Sequence, residues 1–78
     1  MAKILIIDDR PVNRAFLNTL LRQVNHDVIE AADGAAALAL VRERRPDLII
    51  TDLMLAPTGG VEFAMRVRDD AAIAGTPI

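Results

Sequence analysis

The stretch "DLIITDLMLAPTGG", residues 47–60, decides how the chain is read. An apolar run, Leu48-Ile49-Ile50, passes through Thr51 straight into an acid, Asp52, and a loop rich in turn formers, Ala56-Pro57-Thr58-Gly59-Gly60, follows. The same pattern stands near the start: "ILIIDD", residues 4–9, runs from Ile4 into Asp8 and Asp9. Short apolar runs without polar alternation suit strands buried on both faces, the kind found in parallel sheets. The spacing predicts strands over Lys3–Ile7 and Asp47–Thr51, each ending in carboxylates.

Helical signals fill the space between. Pro11 fits the first turn of a helix, where its missing N–H costs nothing. Leu17, Leu20, Leu21 and Val24 fall at i, i+3, i+4 and i+7, with Arg14, Asn18 and Arg22 on another face. Asn25-His26-Asp27 breaks this helix, and Val28–Ala31 reads as a second strand. Asp33 can cap a helix starting at Gly34 or Ala35. Its end carries Arg42, Arg44 and Arg45, which suit the negative pole of the helix, and Pro46 stops it. Val61–Asp69 reads as a third helix with Val61, Ala64, Met65 and Arg68 on one side. Residues 71–76 form a connector, and Pro77-Ile78 reads as the first step of a fourth strand. Strands alternating with helices imply βαβ units. Were the strand order 2-1-3, right-handed crossovers would put the first helix on one sheet face and the other two on the opposite face.

Bulk properties narrow the function. Seventy-eight residues make one small domain, and 53% apolar content requires a packed core. A net charge of −2, from 9 basic and 11 acidic residues, predicts no affinity for nucleic acid or anionic membrane. The absence of cysteine excludes a disulfide framework and thiolate chemistry. The N-terminus lacks the apolar length of a signal peptide, and the longest apolar run, Ala35–Val41, is far short of a membrane span. A soluble, cytoplasmic protein is expected.

In an open parallel sheet, ligands bind beyond the carboxyl ends of the strands. If strands 1 and 3 are neighbours, Asp8, Asp9 and Asp52 converge there. Two carboxylates 4 Å apart repel by roughly 4 kcal/mol at an effective dielectric near 20. Three therefore need a cation, and Mg²⁺ is the natural partner for such oxygen donors. The loop Asp8-Asp9-Arg10-Pro11 has no G-x-G-x-x-G to cradle a bare phosphate. Asp52 is then a candidate nucleophile, since carboxylates form aspartyl phosphates. Plainer roles stand beside these. A single acid after a strand is usually a turn residue or helix cap. His26 reads as solvated, Arg42, Arg44, Arg45, Arg66 and Arg68 as solvated helix ends, Met54 and Met65 as packing residues, and Arg10 as exposed.

Three motifs in order carry a family resemblance over the whole chain. "ILIIDDRPVNR" resembles the first strand and acidic pair of the receiver domains of two-component response regulators. "EAADGAAAL", residues 30–38, is similar to their second strand and second helix start. "PDLIITDLML", residues 46–55, resembles their phosphoacceptor strand, and Gly60 falls where they usually carry glycine. The resemblance implies a flavodoxin-like, doubly wound parallel sheet of order 2-1-3-4-5 when complete. About three βα units of it stand in residues 1–78, the N-terminal portion of a receiver. It implies that Asp52 is the phosphoacceptor. It further implies that Asp8, Asp9 and Asp52, with the Met54 backbone carbonyl, hold Mg²⁺. The implied partner is a histidine kinase or histidine phosphotransfer domain, and a receiver homodimer is compatible with it.

The pattern departs from the family at Ala56, where proline is usual; here the proline is Pro57. The family's switch Ser/Thr and its lysine fall past Ile78, so a longer natural chain is expected. A lone piece of this length is expected to leave one sheet face thinly covered and strand 3 with an open edge. The resemblance implies a signalling module with self-catalysed phosphotransfer and autodephosphorylation, not a stand-alone enzyme. Two other classes compete. An Mg²⁺-dependent phosphohydrolase with an aspartate nucleophile usually has D-x-D after strand 1, and "IIDDR" lacks it. A degenerate receiver acting only as an interaction module would not need the acidic triad.

Overall fold

The structure, a computed structural model, describes residues 1–52 and 59–78. Strands and helices alternate among them: β1 (Lys3–Ile7), α1 (Pro11–Gln23), β2 (Asp27–Ala31), α2 (Gly34–Arg44), β3 (Leu48–Thr51) and α3 (Gly60–Asp69). The strands form one parallel sheet in the order β2-β1-β3. The register pairs Ile4 with Val28 and Leu48, and Ile7 with Ala31 and Thr51.

Side chains of β1 alternate across the sheet, and each set meets its own helices. Leu5 and Ile7 join Ala31, Ile49, Ala37 and Val41 of α2, Phe63 and Val67 of α3, and Ile73 in one buried cluster. Ile4, Ile6 and Val28 form the other, covered by Leu17 and Leu21 of α1. The expected division of helices between faces is thus observed. The two faces are covered unequally. α1 packs on β1 and β2, and Leu48 and Ile50 of β3 on that side stay half-buried.

This uneven cover revises the sequence reading of α1. Of its apolar face, Leu17 and Leu21 reach the sheet, while Leu20 and Val24 are exposed, as are Val12 and Phe16. α3 buries Phe63 and Val67, so the side bearing Val61 and Met65 faces outward; Met65 is not a packing residue.

Local chemistry sets the helix ends. Pro11 occupies the first turn of α1. Asp33 caps α2 by accepting from the Ala36 N–H at 2.8 Å. Arg45 ends α2 in the left-handed region, φ 48°, and its guanidinium donates to the carbonyls of Arg42 at 2.9 Å and Ala72 at 2.6 Å. Gly59 precedes α3 at φ 86°, a conformation that disfavours any Cβ. The arginines expected to be solvated are exposed, and several are engaged as well: Arg42 pairs with Asp70 at 2.9 Å, Arg66 with Glu62 at 3.2 Å, and Arg68 donates to the Ala74 and Thr76 carbonyls. His26 is also not free in solvent, because its Nδ1 accepts from the Ala2 N–H at 3.1 Å.

The outer edge of β3 is met by the chain's last residues. The Ile49 N–H donates to the Pro77 carbonyl at 2.8 Å, which places Pro77 where a fourth strand would run. At the other end of the strands, the Lys3 N–H donates to Asp47 Oδ2 and the Asp47 N–H to the Lys3 carbonyl, both at 2.7 Å.

Candidate functional site

The sheet ladder continues one residue past β1 and β3 and so carries two acids to the same rim. The Asp8 N–H donates to the Ala31 carbonyl at 3.2 Å, and the Asp52 N–H to the Ile7 carbonyl at 3.4 Å. Asp8 and Asp52 therefore sit on adjacent strand ends at the carboxyl edge of the sheet, where open parallel sheets place their ligands.

Asp8 is buried and Asp52 half-buried. Asp8 Oδ1 accepts from the Arg10 N–H at 2.9 Å, so the acid also shapes the turn into α1. The Arg10 guanidinium then closes over the rim, with Nη2 3.3 Å from Asp52 Oδ2 and Nε 3.6 Å from Asp8 Oδ1. With its amide oxygen turned toward that guanidinium, Asn13 accepts from Arg10 at 2.8 and 3.1 Å. Two such bonds to a cation outweigh the single 3.4 Å bond that the opposite orientation gives to Asp8 Oδ2.

Arg14 braces the turn from below. Its Nη1 donates to the Asp8 carbonyl at 2.6 Å and its Nε pairs with Glu30 Oε1 at 3.3 Å, tying β1, α1 and β2 together. Asn18 holds the other Glu30 oxygen at 2.8 Å.

Burial tends to raise the pKa of Asp8. Its hydrogen bonds, led by the Arg10 N–H, and the Arg10 charge outweigh that and hold it below the ordinary carboxylate value. Burial is the largest single influence on Asp8, and the donors and the Arg10 charge win only together.

The expected acids are brought together only in part. Asp8 and Asp52 are bridged by Arg10, whereas Asp9 is exposed on the loop. Among the described residues, no three acidic, His or Cys side chains form a ready-made metal cluster. Met54 lies outside the described residues, as do Ala56 and Pro57. Sequence reasoning missed the bracing by Asn13, Arg14 and Glu30. The available signal was the polar face of α1, on which Arg14 follows Asp8 by six positions. A shallow groove of about 500 Å³ lies elsewhere, lined by Leu38, Arg42, Arg66, Asp69, Asp70 and Ala71, and contains none of these acids.

The profile of the response regulator receiver domain matches residues 4–78. The chain belongs to the receiver domain family. The receiver is 31% identical to Protein PilH of Pseudomonas aeruginosa, over all of this chain and 64% of that protein. It superimposes on the chemotaxis response regulator CheY4 of Vibrio cholerae with a TM-score of 0.94 and 37% identity, over all of this chain and 65% of that one. It also superimposes on the receiver domain of Ssk1 from Saccharomyces cerevisiae, solved with the histidine phosphotransfer protein Ypd1. There the TM-score is 0.81 and the identity 33%, over 86% of this chain and 46% of that one. The receiver thus spans less than two thirds of the length of each of these relatives. The flavodoxin-like α/β class expected from the sequence is the class observed, with three parallel strands in one sheet. Among the described residues no helix is long and apolar enough to cross a membrane.

Proposed function

We propose that this receiver takes a phosphoryl group onto Asp52 from a phosphohistidine of a histidine kinase or phosphotransfer domain, as a signalling step in the cytoplasm. The placement of Asp52 beside Asp8 on adjacent strand ends carries the reading. An Asp52 carboxylate oxygen attacks phosphorus, the P–N bond to the donor imidazole breaks, and that nitrogen takes up a proton. The resulting acyl phosphate alters the charge at the rim.

Asp8, Asp9 and Asp52, with the Met54 carbonyl, are the groups that would hold Mg²⁺, and this all-oxygen donor set suits a hard cation. When bound, Mg²⁺ neutralises charge on the transferring phosphoryl oxygens. The backbone bond of Asp8 to Ala31 and the Arg14 bond to its carbonyl support that reading. Val12 and Phe16, exposed on α1 just after the acidic loop, offer an apolar surface next to the site for a partner's helices. The Ssk1 receiver, solved with a phosphotransfer protein, supports that class of partner.

The test is treatment with a small acyl phosphate in Mg²⁺, followed by mass mapping of the modified residue. Label on Asp52, lost in Asp52→Asn, is expected. Label on another acid, or undiminished label in the variant, overturns the assignment.

A further inference from the structure

Arg10 follows the two acids at the end of β1. Its side chain is 64% exposed, yet it turns back over the sheet rim instead of extending into water. Three groups receive it: Asp52 at 3.3 Å, Asp8 at 3.6 Å and the Asn13 amide oxygen at 2.8 and 3.1 Å. Two of these are carboxylates from different strands, and the third is a neutral group that orients the guanidinium between them.

We infer that Arg10 is a resident counter-cation of the acidic rim, which a divalent cation must displace to bind there. This rests on the proposed metal and phosphoacceptor roles of Asp8 and Asp52, and it adds a residue that sets metal affinity. Carboxylates on adjacent strand ends repel, and the guanidinium offsets that with one delocalised charge. A Mg²⁺ ion needs carboxylate oxygens at about 2.0–2.1 Å. At that distance its two charges would lie within a few ångströms of the guanidinium. The two cations repel, so Arg10 swings out. Its exposure lets it do so by side-chain rotation, while its backbone N–H keeps Asp8 Oδ1 at 2.9 Å. The affinity for Mg²⁺ is then weaker than the acids by themselves would set. An exposed ion pair is worth little, so the factor is at most about fivefold.

The experiment is a MgCl2 titration of the chain, of Arg10→Gln and of Asn13→Ala, followed by calorimetry and by the arginine Nε–H signals in NMR spectra. Arg10→Gln is expected to bind Mg²⁺ about three- to fivefold more tightly. Asn13→Ala changes no charge but frees the guanidinium, and it is expected to bind about twofold more tightly. In the parent, the Arg10 Nε–H signal should move with the same Mg²⁺ midpoint as the Asp52 amide. Unchanged affinity in Arg10→Gln, with normal binding by the parent, overturns the inference and leaves the site reading standing. Tighter binding by Arg10→Gln with an Arg10 signal indifferent to Mg²⁺ and no gain in Asn13→Ala reduces the effect to distant charge and overturns the exchange. Absence of Mg²⁺ binding in all three proteins removes the site reading and the inference with it.

Discussion

Replacing Arg14 with alanine should loosen the turn that carries the acids, and the cost can be worked from its contacts. The Nη1 bond to the Asp8 carbonyl, 2.6 Å long, is charge-assisted, and such bonds contribute about 1.5–3 kcal/mol. The ion pair with Glu30 adds less. The Glu30 side chain is 38% exposed, so screening leaves about 0.5 kcal/mol or below. Glu30 also keeps Asn18. The total loss is then about 2–3 kcal/mol. A domain of this size loses about 4–8 °C of Tm per kcal/mol, so a drop on the order of 10–20 °C follows. The chain has no Trp or Tyr, so urea unfolding is best followed by far-UV circular dichroism. Arg14→Lys keeps the charge but not the planar fork, and it should lose roughly half as much. NMR amide signals of Asp8 and Asp9 should broaden in the alanine variant, because the turn has lost its brace. A loss below about 0.5 kcal/mol, with no coupling to Glu30→Ala in a double-mutant cycle, would refute the reasoning.

Asp8 is held below the ordinary aspartate value of about 4, so it adds stability above that value and loses it as pH falls through its folded pKa. Urea midpoints should therefore fall as the pH drops below about 4, and Asp8→Asn should flatten that slope; an identical slope in the variant would count against it. Asp70, lowered chiefly by its hydrogen bond from Arg42, contributes with the same sign in the same range. On α3, Phe63 is 1% exposed and Met65 61%. Phe63→Ala should cost about 3–5 kcal/mol, a large part of what a small domain has, and Met65→Ala within about 0.5 kcal/mol. Equal losses measured by denaturation would mean that the buried face of α3 is misassigned.

The elements and their order were legible in the sequence because their causes are local. β-Branched runs, Pro11 at a helix start, Asp33 at a cap and Pro46 at a stop each act through neighbours in the chain. The placement of Asp8 and Asp52 at strand ends was legible for the same reason, and the motifs supplied their expected roles. Periodicity marked only part of the covered stripe of α1, Leu17 and Leu21, and did not single out Phe63 and Val67 on α3. Both helices carry apolar residues on more than one side, and the sheet beneath decides which side is covered.

The tertiary structure decided the rest. Only the pairing of β1 with β3 brings Asp52 beside Asp8, and only that meeting lets Arg10 bridge them. Arg14 and Glu30 stand 16 positions apart and meet because β2 returns parallel to β1. Arg42 finds Asp70, and His26 finds the Ala2 N–H, across 28 and 24 positions. Such contacts depend on register and on side-chain direction in three dimensions, which short-range patterns do not encode. The sequence by itself therefore determined the strands, the helices and the acids at the strand ends. The fold determined which charges face one another, because electrostatic pairing follows distance in space and not separation along the chain.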